Sequence, residues 1–282
     1  MSLGIDFYYI FVTSGKRQQI CYIFYYFACR LVIAGQEIME EKKKEKLFMR
    51  EFFRKAGKAI YDYELIQDGD KILVGVSGGK DSLALLEVLA LRARDPKQHY
   101  SVMAAHIAVE NVAYEVDGEY ILEFCNRLGV ELVQRTIQTT VHEDSDKPVC
   151  FVCSWHRRKM LFEIAKAYDC NKLALGHHRD DALESLLMSM MFNGTIASMP
   201  PKLDMFGQTF TLIRPFIYLT NDETRQYAAH RNFKQQKKNC PYERATNRNA
   251  VAEIIRQMET LSPHVRGNLF AAMKNIQSEY LP

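Results

Sequence analysis

The sequence changes abruptly where an apolar run from Lys71 to Val76 meets a cluster of small and charged residues, and this junction constrains the fold more than any other feature. The β-branched and apolar run is typical of a buried strand. Two adjacent glycines then let the backbone approach an anion, and the helix that follows presents unpaired N–H groups and the positive end of its dipole. We therefore predict a phosphate-binding loop formed by Ser77, Gly78, Gly79, Lys80, Asp81 and Ser82.

The loop differs from a Walker A sequence, since Val74 stands where the first glycine would be and Asp81 where the magnesium-binding Ser or Thr would be. It resembles instead the loop of the PP-loop ATP pyrophosphatases, which cleave ATP to AMP and pyrophosphate while adenylating a substrate oxygen. That resemblance implies ATP and Mg²⁺ as ligands. The alternative, a glycine turn between a strand and a helix, explains the glycines but not the two serines, the lysine and the aspartate around them.

Strand and helix patterns alternate on both sides of the loop. Strand patterns occur at 101–109, 130–137, 172–175 and 208–213, and helical patterns occur around 118–127, 156–168 and 181–192. Such alternation predicts an α/β fold with a parallel sheet, in which ligands bind at the carboxyl ends of the strands. The predicted fold class is thus a Rossmann-like PP-loop domain, of the adenine nucleotide alpha hydrolase type, with helical N-terminal and C-terminal extensions.

Four segments are predicted along the chain. Residues 1–38 are crowded with aromatic residues and are expected to be a leader without function, or an over-extended reading frame; 39–67 form a basic helix, 68–221 the ATP-binding domain, and 222–282 a helical segment carrying Cys240. Basic residues are concentrated at 41–58 and 225–248, although the formal net charge is only +3. Two basic flanks suit a polyanion larger than ATP, and solvated helix faces explain them equally well.

The cysteines indicate the compartment and a second chemical centre. Seven cysteines, an odd number, without a convincing secretory signal indicate reduced thiols and a cytoplasmic protein. Cys150 and Cys153 form a C-x-x-C motif, which on its own is ambiguous between zinc, a redox disulfide, an iron-sulfur cluster and accident. With Cys240, three thiolates can hold a four-iron cluster and leave one iron open. Cys125 and Cys170 are interpreted as small buried hydrophobic residues.

A second polar cluster follows the strand pattern that ends at Leu175. It contains Gly176, His177, Asp180 and Asp181, and a helical pattern begins directly after it. Adjacent carboxylates beside histidines can hold magnesium or orient a nucleotide, and the sheet would bring them near the phosphate loop. The alternative is an acidic helix N-terminus, where aspartates cap the helix and complement its dipole.

Taken in order along the chain, the motifs resemble those of the TtcA-like tRNA 2-thiocytidine synthases. The motifs are Ser77-Gly-Gly-Lys-Asp-Ser82, Cys150-x-x-Cys153 followed by Arg157-Arg158, Gly176-His-His-Arg-Asp-Asp181, Met199-Pro-Pro-Lys202, Ile213-Arg-Pro215 and the late Cys240. The resemblance covers about residues 68–282. One departure is Glu243, which replaces a second late cysteine of many relatives. The other follows the strand that ends His106-Ile-Ala-Val-Glu110, where the acidic residue of the family's pattern for adenine recognition is not matched.

The resemblance implies an ATP-dependent sulfurtransferase that converts cytidine 32 of the tRNA anticodon loop to 2-thiocytidine. It implies a 4Fe-4S cluster on Cys150, Cys153 and Cys240. It implies catalytic roles for these cysteines and for Lys80, Asp81 and Asp181. Nucleotide contacts would come from the phosphate loop, His106, Gly176, His177, Asp180 and Asp181. It also implies a sulfur donor (a cysteine desulfurase or sulfide), a homodimer and no association with membranes. The cluster's open iron would hold a hydrosulfide for transfer.

Three alternatives remain at this point. Within the PP-loop superfamily they are a tRNA 2-thiouridine synthase, which usually carries additional zinc-binding cysteine pairs, and a tRNA-Ile lysidine synthetase, which has no use for the three cysteines. From a different class, the chain would be a non-catalytic nucleotide-binding module with a structural zinc. Iron and sulfide in anaerobically purified protein favour the sulfurtransferase, whereas stoichiometric zinc favours the module.

Overall fold

The structure of the chain is a computed structural model, and it describes residues 15–110, 118–138, 149–207, 209–234 and 247–280. Cys240 therefore lies outside the described residues. The chain divides into two compact units, Met1–Arg50 and Glu51–Pro282. In the part of the chain described, no helix is both long enough and apolar enough to span a bilayer.

Six strands form one sheet, which confirms the predicted α/β class. The strands are β1 (Lys71–Gly75), β2 (Ser101–Val109), β3 (Glu131–Ile137), β4 (Lys172–Ala174), β5 (Lys202–Met205) and β6 (Phe210–Ile213). Their order across the sheet is β3-β2-β1-β4-β6-β5, and every neighbouring pair is parallel except β5 with β6. The antiparallel edge strand β5 is absent from the sequence prediction, because it has only four residues and directly follows two prolines.

Helices precede the sheet, connect its strands and follow it along the chain. They are α1 (Gly15–Asp62), α2 (Lys80–Arg92), α3 (Gly118–Leu128), α4 (Val149–Ala167), α5 (Arg179–Asn193), α6 (Asn221–His230), α7 (Asn247–Leu261) and α8 (Val265–Ala272), with a short 3-10 helix at Ser278–Tyr280. Helix α1 runs continuously across the predicted boundary at residue 39, and whether residues 1–38 lack a function stays a prediction. Helix α4 begins at residue 149, so the predicted start near 156 was wrong.

The order of the strands determines where the site lies. Strand β1 pairs with β2 on one side and with β4 on the other, and all three run in the same direction. The chain passes from β1 to β2 and β3 in one direction and returns to β4 on the opposite side, so the crossovers diverge between β1 and β4. In open α/β sheets a crevice forms at such a switch point, at the carboxyl ends of the strands. The phosphate loop after β1 and the polar cluster after β4 therefore lie at the same edge.

Helix α2 is buried along its length, as its apolar sequence predicts, but it carries one buried carboxylate. Glu87 is 3% exposed, accepts a hydrogen bond from the Tyr227 hydroxyl at 2.8 Å and pairs with the guanidinium of Arg231. Tyr227 also stacks on Phe52 of α1, with ring centroids 4.2 Å apart. Because an unpaired buried charge is costly, this network fixes α6 against the helix that follows the phosphate loop. In α1, Phe52, Ala56 and Ile60 are buried, whereas Leu47 is exposed.

Candidate active site

The phosphate loop is closed by its own serines. The Ser77 and Ser82 hydroxyl oxygens are 3.2 Å apart, the Ser77 amide donates to Ser82 Oγ at 3.1 Å, and Ser82 Oγ donates to the Gly79 carbonyl at 2.9 Å. Gly78 has a φ of +81°, which disfavours any residue with a Cβ. Gly79 precedes α2 and provides no side-chain cap, so the first-turn N–H groups of α2 are available to an anion.

The loop lysine is held by one residue of the loop and one from a distant helix. Lys80 Nζ lies 2.6 Å from Asp81 Oδ1 and donates to Thr224 Oγ1 at 3.1 Å. Thr224 is fully buried in α6, a helix that begins with a capping box formed by Thr220 and Glu223. The Thr-x-x-Glu spacing predicts the start of a helix, but no sequence signal relates Thr224 to Lys80. Since α6 is fixed on α2, the ammonium group is positioned from both sides.

The two polar loops are in direct contact at Gly176. A Cβ at this position would lie 2.9 Å from the carbonyl carbon and oxygen of Asp81 and 3.0 Å from the Ser82 amide nitrogen. Backbone atoms cannot withdraw as a flexible side chain can, so only glycine fits here. His178 Nε2 lies 4.0 Å from Asp81 Oδ1. Because Gly176 has no side chain, the polar loop after β4 can approach the phosphate loop closely, as predicted for Gly176.

One of the two aspartates at the start of α5, Asp181, takes part in capping the helix, as the alternative interpretation held. His178 is the N-cap residue: its amide donates to Asp181 Oδ2 at 2.9 Å and its ring accepts from the Asp181 amide. Asp180 is 6% exposed and accepts from the Asn221 amide at 2.7 Å and from Arg266 Nη1 at 2.8 Å. Each Asp180 oxygen thus accepts one hydrogen bond within the protein, which gives the side chain a structural role, and its nucleotide contact stays a prediction. Asp181 keeps one oxygen, Oδ1, which has Arg248 Nη1 at 3.6 Å.

A buried histidine and arginine lie beside this cap. Arg214 Nε donates to His177 Nδ1 at 3.3 Å, and Arg214 Nη1 donates to the Pro200 carbonyl. Burial lowers the pKa of His177 to about 4, with Arg214 contributing and Asp181 opposing. Burial, together with the charge of Arg158, lowers the pKa of Arg214 to about 10. The imidazole is therefore neutral at physiological pH, and its Nδ1 serves as an acceptor.

His106 lies under the phosphate loop. The side chain is 4% exposed, and Nδ1 lies 2.7 Å from the Val76 carbonyl oxygen, which can only accept; the proton of this hydrogen bond is thus on Nδ1. Burial lowers the pKa of His106, and the positive charge of Arg157 on α4 acts in the same direction. This hydrogen bond fixes the start of the loop, and the nucleotide contact of His106 stays a prediction.

Cys150 and Cys153 lie in the first two turns of α4. They are three residues apart on the helix and therefore share one of its faces. Both thiols are half-buried, and Cys153 packs against the main core cluster. The helix N-terminus favours negatively charged ligands there. Cys125 and Cys170 are buried as predicted, and burial raises the pKa of the Cys125 thiol to about 11.

Among the described residues, Cys150 and Cys153 fit as two ligands of a 4Fe-4S cluster. Two thiols one turn apart at the start of a helix are a donor set that iron-sulfur clusters use. Within the described ranges, no three His, Cys, Asp or Glu side chains are grouped to hold a metal ion. A third thiolate would have to come from elsewhere, and Cys240 is the residue that the sequence predicts.

Glu184, which the sequence analysis did not single out, lies one turn after Asp181 in α5. The pKa of its carboxyl group is raised to about 7, mainly by burial and also by the charges of Asp181 and Asp180. The charge of Arg248 acts in the opposite direction, with Nε 3.6 Å from Glu184 Oε2. Between about pH 4.5 and 7 the folded state therefore holds a proton that the unfolded state has released, so stability falls as pH rises through this window.

We expect Glu184→Gln to be more stable than the parent protein at about pH 8, with the difference disappearing near pH 4.5, because the amide cannot ionise. Urea unfolding of nucleotide-free protein across this range measures the effect. Glu253→Gln, at an exposed position of α7, is the matched control and should show no such trend. A Glu184→Gln variant that is less stable at about pH 8 would mean that the Arg248 contact outweighs burial.

Comparisons with known proteins agree on the family. A sequence model described as the PP-loop domain matches residues 48–258. A tRNA-cytidine(32) 2-sulfurtransferase of Syntrophotalea carbinolica is 35% identical over 251 residues, covering 84% of this chain and 93% of that protein. One from Verminephrobacter eiseniae is 36% identical over 258 residues, covering 86% and 77%. A similar solved structure is the U34-tRNA thiolase NcsA from Methanococcus maripaludis with its 4Fe-4S cluster. The two structures superimpose with a TM-score of 0.63 at 24% identity, over 80% of this chain and 78% of NcsA. This likeness shows the fold.

Proposed function

Because the chain belongs to the PP-loop family of tRNA-cytidine(32) 2-sulfurtransferases, we propose that it activates C2 of an anticodon-loop cytidine with ATP and replaces its oxygen with sulfur. The observation that carries the proposal is the contact between Gly176 and the Asp81 backbone, which joins the two polar loops at one switch point. A triphosphate bound there would reach both loops. The products are 2-thiocytidine, AMP and pyrophosphate.

The phosphate loop would bind the phosphates of ATP. The N–H groups at the start of α2 and the Lys80 ammonium would hold the triphosphate, and the same groups stabilise the charge that develops when the cytidine oxygen attacks the α-phosphorus. Thr224 keeps Lys80 in place before the nucleotide arrives. Such preorganised donors lower the barrier because they need little reorientation during the reaction.

Magnesium, which ATP brings, would be bound by carboxylates from the two loops. Asp81 and Asp181 are the candidates, since oxygen ligands suit Mg²⁺ and each residue follows a different strand of the switch point. His178 lies close to both carboxylates, with Nε2 4.0 Å from Asp81 Oδ1 and Nδ1 3.2 Å from Asp181 Oδ2. We assign His178 the role of orienting them.

Cys150, Cys153 and Cys240 would hold a 4Fe-4S cluster. When bound, the cluster supplies an iron site that can carry the sulfur to be transferred. The protein's own contribution is to place Cys150 and Cys153 near the start of helix α4. The same helix carries Arg157, and the charge of Arg157 lowers the pKa of His106 under the phosphate loop. This arrangement supports a sulfur site next to the ATP site.

Binding of tRNA would use basic side chains from several parts of the chain. Arg157, Arg158 and Lys202, together with the basic segments 41–58 and 225–248, are proposed to contact the phosphate backbone. We also propose a cysteine desulfurase or sulfide as the sulfur donor, a homodimer as the working form, and a cytoplasmic location, where ATP and reduced thiols are available.

The test of the function is nucleoside mass spectrometry of tRNA from cells with and without the gene. Loss of 2-thiocytidine on deletion, and its return on complementation, is the expected result. Loss of 2-thiouridine or lysidine instead would assign the chain to one of the related activities. An unchanged nucleoside profile, together with stoichiometric zinc in the purified protein, would favour the non-catalytic module.

A further inference from the structure

Helix α4 exposes two aromatic side chains beside the cysteine pair. Phe151 and Trp155 are 47% and 48% exposed. They lie four residues apart, so they share one face of the helix, and we call this pair the aromatic stripe. Phenylalanine and tryptophan are usually buried, and a pair of them exposed on one helix face marks a contact surface.

Two basic residues follow the aromatic stripe on the same helix. Lys159 Nζ lies 5.7 Å from the centre of the Trp155 ring, and Arg158, one turn after Ser154, donates from Nε to the Ser154 carbonyl at 3.2 Å. Arg158 and Lys159 are both exposed. Aromatic faces flanked by cationic side chains suit single-stranded nucleic acid, because the rings stack on bases while the cations contact phosphates. A duplex offers the phosphates but keeps its bases stacked inside.

The stripe also lies next to the cysteines that the reaction would use. Cys150 precedes Phe151 directly, and Cys153 lies between the two aromatic residues in sequence, on the helix face that packs against the core. The aromatic side chains occupy the neighbouring, solvent-exposed face of the same two turns. A base stacked on the stripe would therefore lie on the same two helical turns as the proposed sulfur site.

We propose that Phe151 and Trp155 form a stacking platform for unpaired bases of the tRNA loop, next to the cytidine that is thiolated, so that the protein selects a loop over a duplex. This inference rests on the proposed function and adds to it the residues that recognise unstacked RNA. A target base must leave the stack to react, and stacking its neighbours on protein aromatic rings compensates for the stacking that is lost.

Trp155 provides its own probe, since it is the one tryptophan in the 282-residue sequence. We expect its fluorescence to be quenched on titration with a synthetic anticodon stem-loop, saturating with the dissociation constant measured by anisotropy of labelled RNA. A blunt duplex with the sequence of the stem should bind through its phosphates and leave the emission unchanged. Both titrations use the full chain at fixed salt, because phosphate contacts are salt-dependent.

Variants separate stacking from a general loss of structure. Trp155→Ala should weaken stem-loop binding about fivefold or more and leave duplex binding unchanged, because stacking acts only on unpaired bases. Trp155→Phe keeps an aromatic face and should retain most of the affinity. Tyr61→Ala removes a ring that is 83% exposed on α1 and is the matched control, expected to bind both RNAs as the parent protein does. Far-UV circular dichroism checks the fold of each variant.

The outcomes distinguish this inference from the function on which it rests. If the parent protein thiolates the stem-loop while Trp155 emission does not change and Trp155→Ala binds equally well, the stacking platform is wrong and the proposed function stands. Equal weakening of stem-loop and duplex binding by Trp155→Ala would also overturn it. If the parent protein neither binds nor thiolates the stem-loop, the proposed function fails together with the platform.

Discussion

Replacing Cys240 with alanine is expected to lower the rate of tRNA thiolation at least about 100-fold while leaving ATP binding and the fold intact. Loss of an outer-shell partner of a metal ligand typically costs 10-fold to 100-fold, and a direct ligand should cost more. Cys150→Ser and Cys153→Ser should have the same effect, since all three thiolates are proposed to hold one cluster. The measurements are 2-thiocytidine formed in an anaerobic assay and iron bound per protein chain.

Cys170→Ala is the matched control for the cysteine variants. Cys170 is buried, with its sulfur 3.8 Å from the Met103 sulfur, so its loss should cost about 1 kcal/mol of stability and no iron. If the Cys240 variant retains both iron and activity, the third ligand is another residue. If all three variants lose iron but thiolate at the parent rate, the cluster has no part in the transfer.

A methyl group at Gly176 is expected to weaken ATP binding about tenfold or more. The Cβ of Gly176→Ala would lie 2.9 Å from two backbone atoms of Asp81, so the polar loop after β4 must move away from the phosphate loop. Overpacking of this kind typically costs about 1–3 kcal/mol, and 1.4 kcal/mol corresponds to a factor of ten in a dissociation constant. Titration calorimetry with a non-hydrolysable ATP analogue measures the change directly.

Gly267→Ala is the control for this substitution. A Cβ at Gly267 meets no atom within 4 Å, and the residue lies inside α8, where alanine is favoured over glycine by about 0.5–1 kcal/mol. The control should bind the analogue as the parent protein does and be equally or more stable. Parent-like nucleotide affinity in Gly176→Ala would show that contact between the two loops is not needed for ATP binding.

The sequence predicts the positions of the two loops because strand ends are local features. The run from Lys71 and the run to Leu175 each end in polar residues, and parallel pairing brings such ends to one edge. Helix α4 was predicted to begin too late, since cysteine, phenylalanine and valine before His156 carry no clear helical period. The short strand β5 depends on pairing with β6, which local propensity does not reveal.

Individual roles within the site could not be predicted from the sequence because they depend on distant partners. Asp180 is engaged by Arg266 from α8, and Lys80 by Thr224 from α6. His106, predicted to contact the nucleotide, forms a hydrogen bond with the Val76 carbonyl. A titratable residue at a strand end is equally suited to ligand binding and to fixing a loop, and only its three-dimensional contacts decide between them.

The central claim is that the C2 oxygen of the cytidine leaves as part of AMP. A stem-loop RNA carrying oxygen-18 at C2 of the target cytidine, incubated anaerobically with the reconstituted protein, ATP and sulfide, tests it directly by mass spectrometry. The account predicts that the heavy oxygen appears in the phosphate of AMP, in an amount equal to the 2-thiocytidine formed. Heavy oxygen in water instead, or formation of ADP in place of AMP, would contradict it.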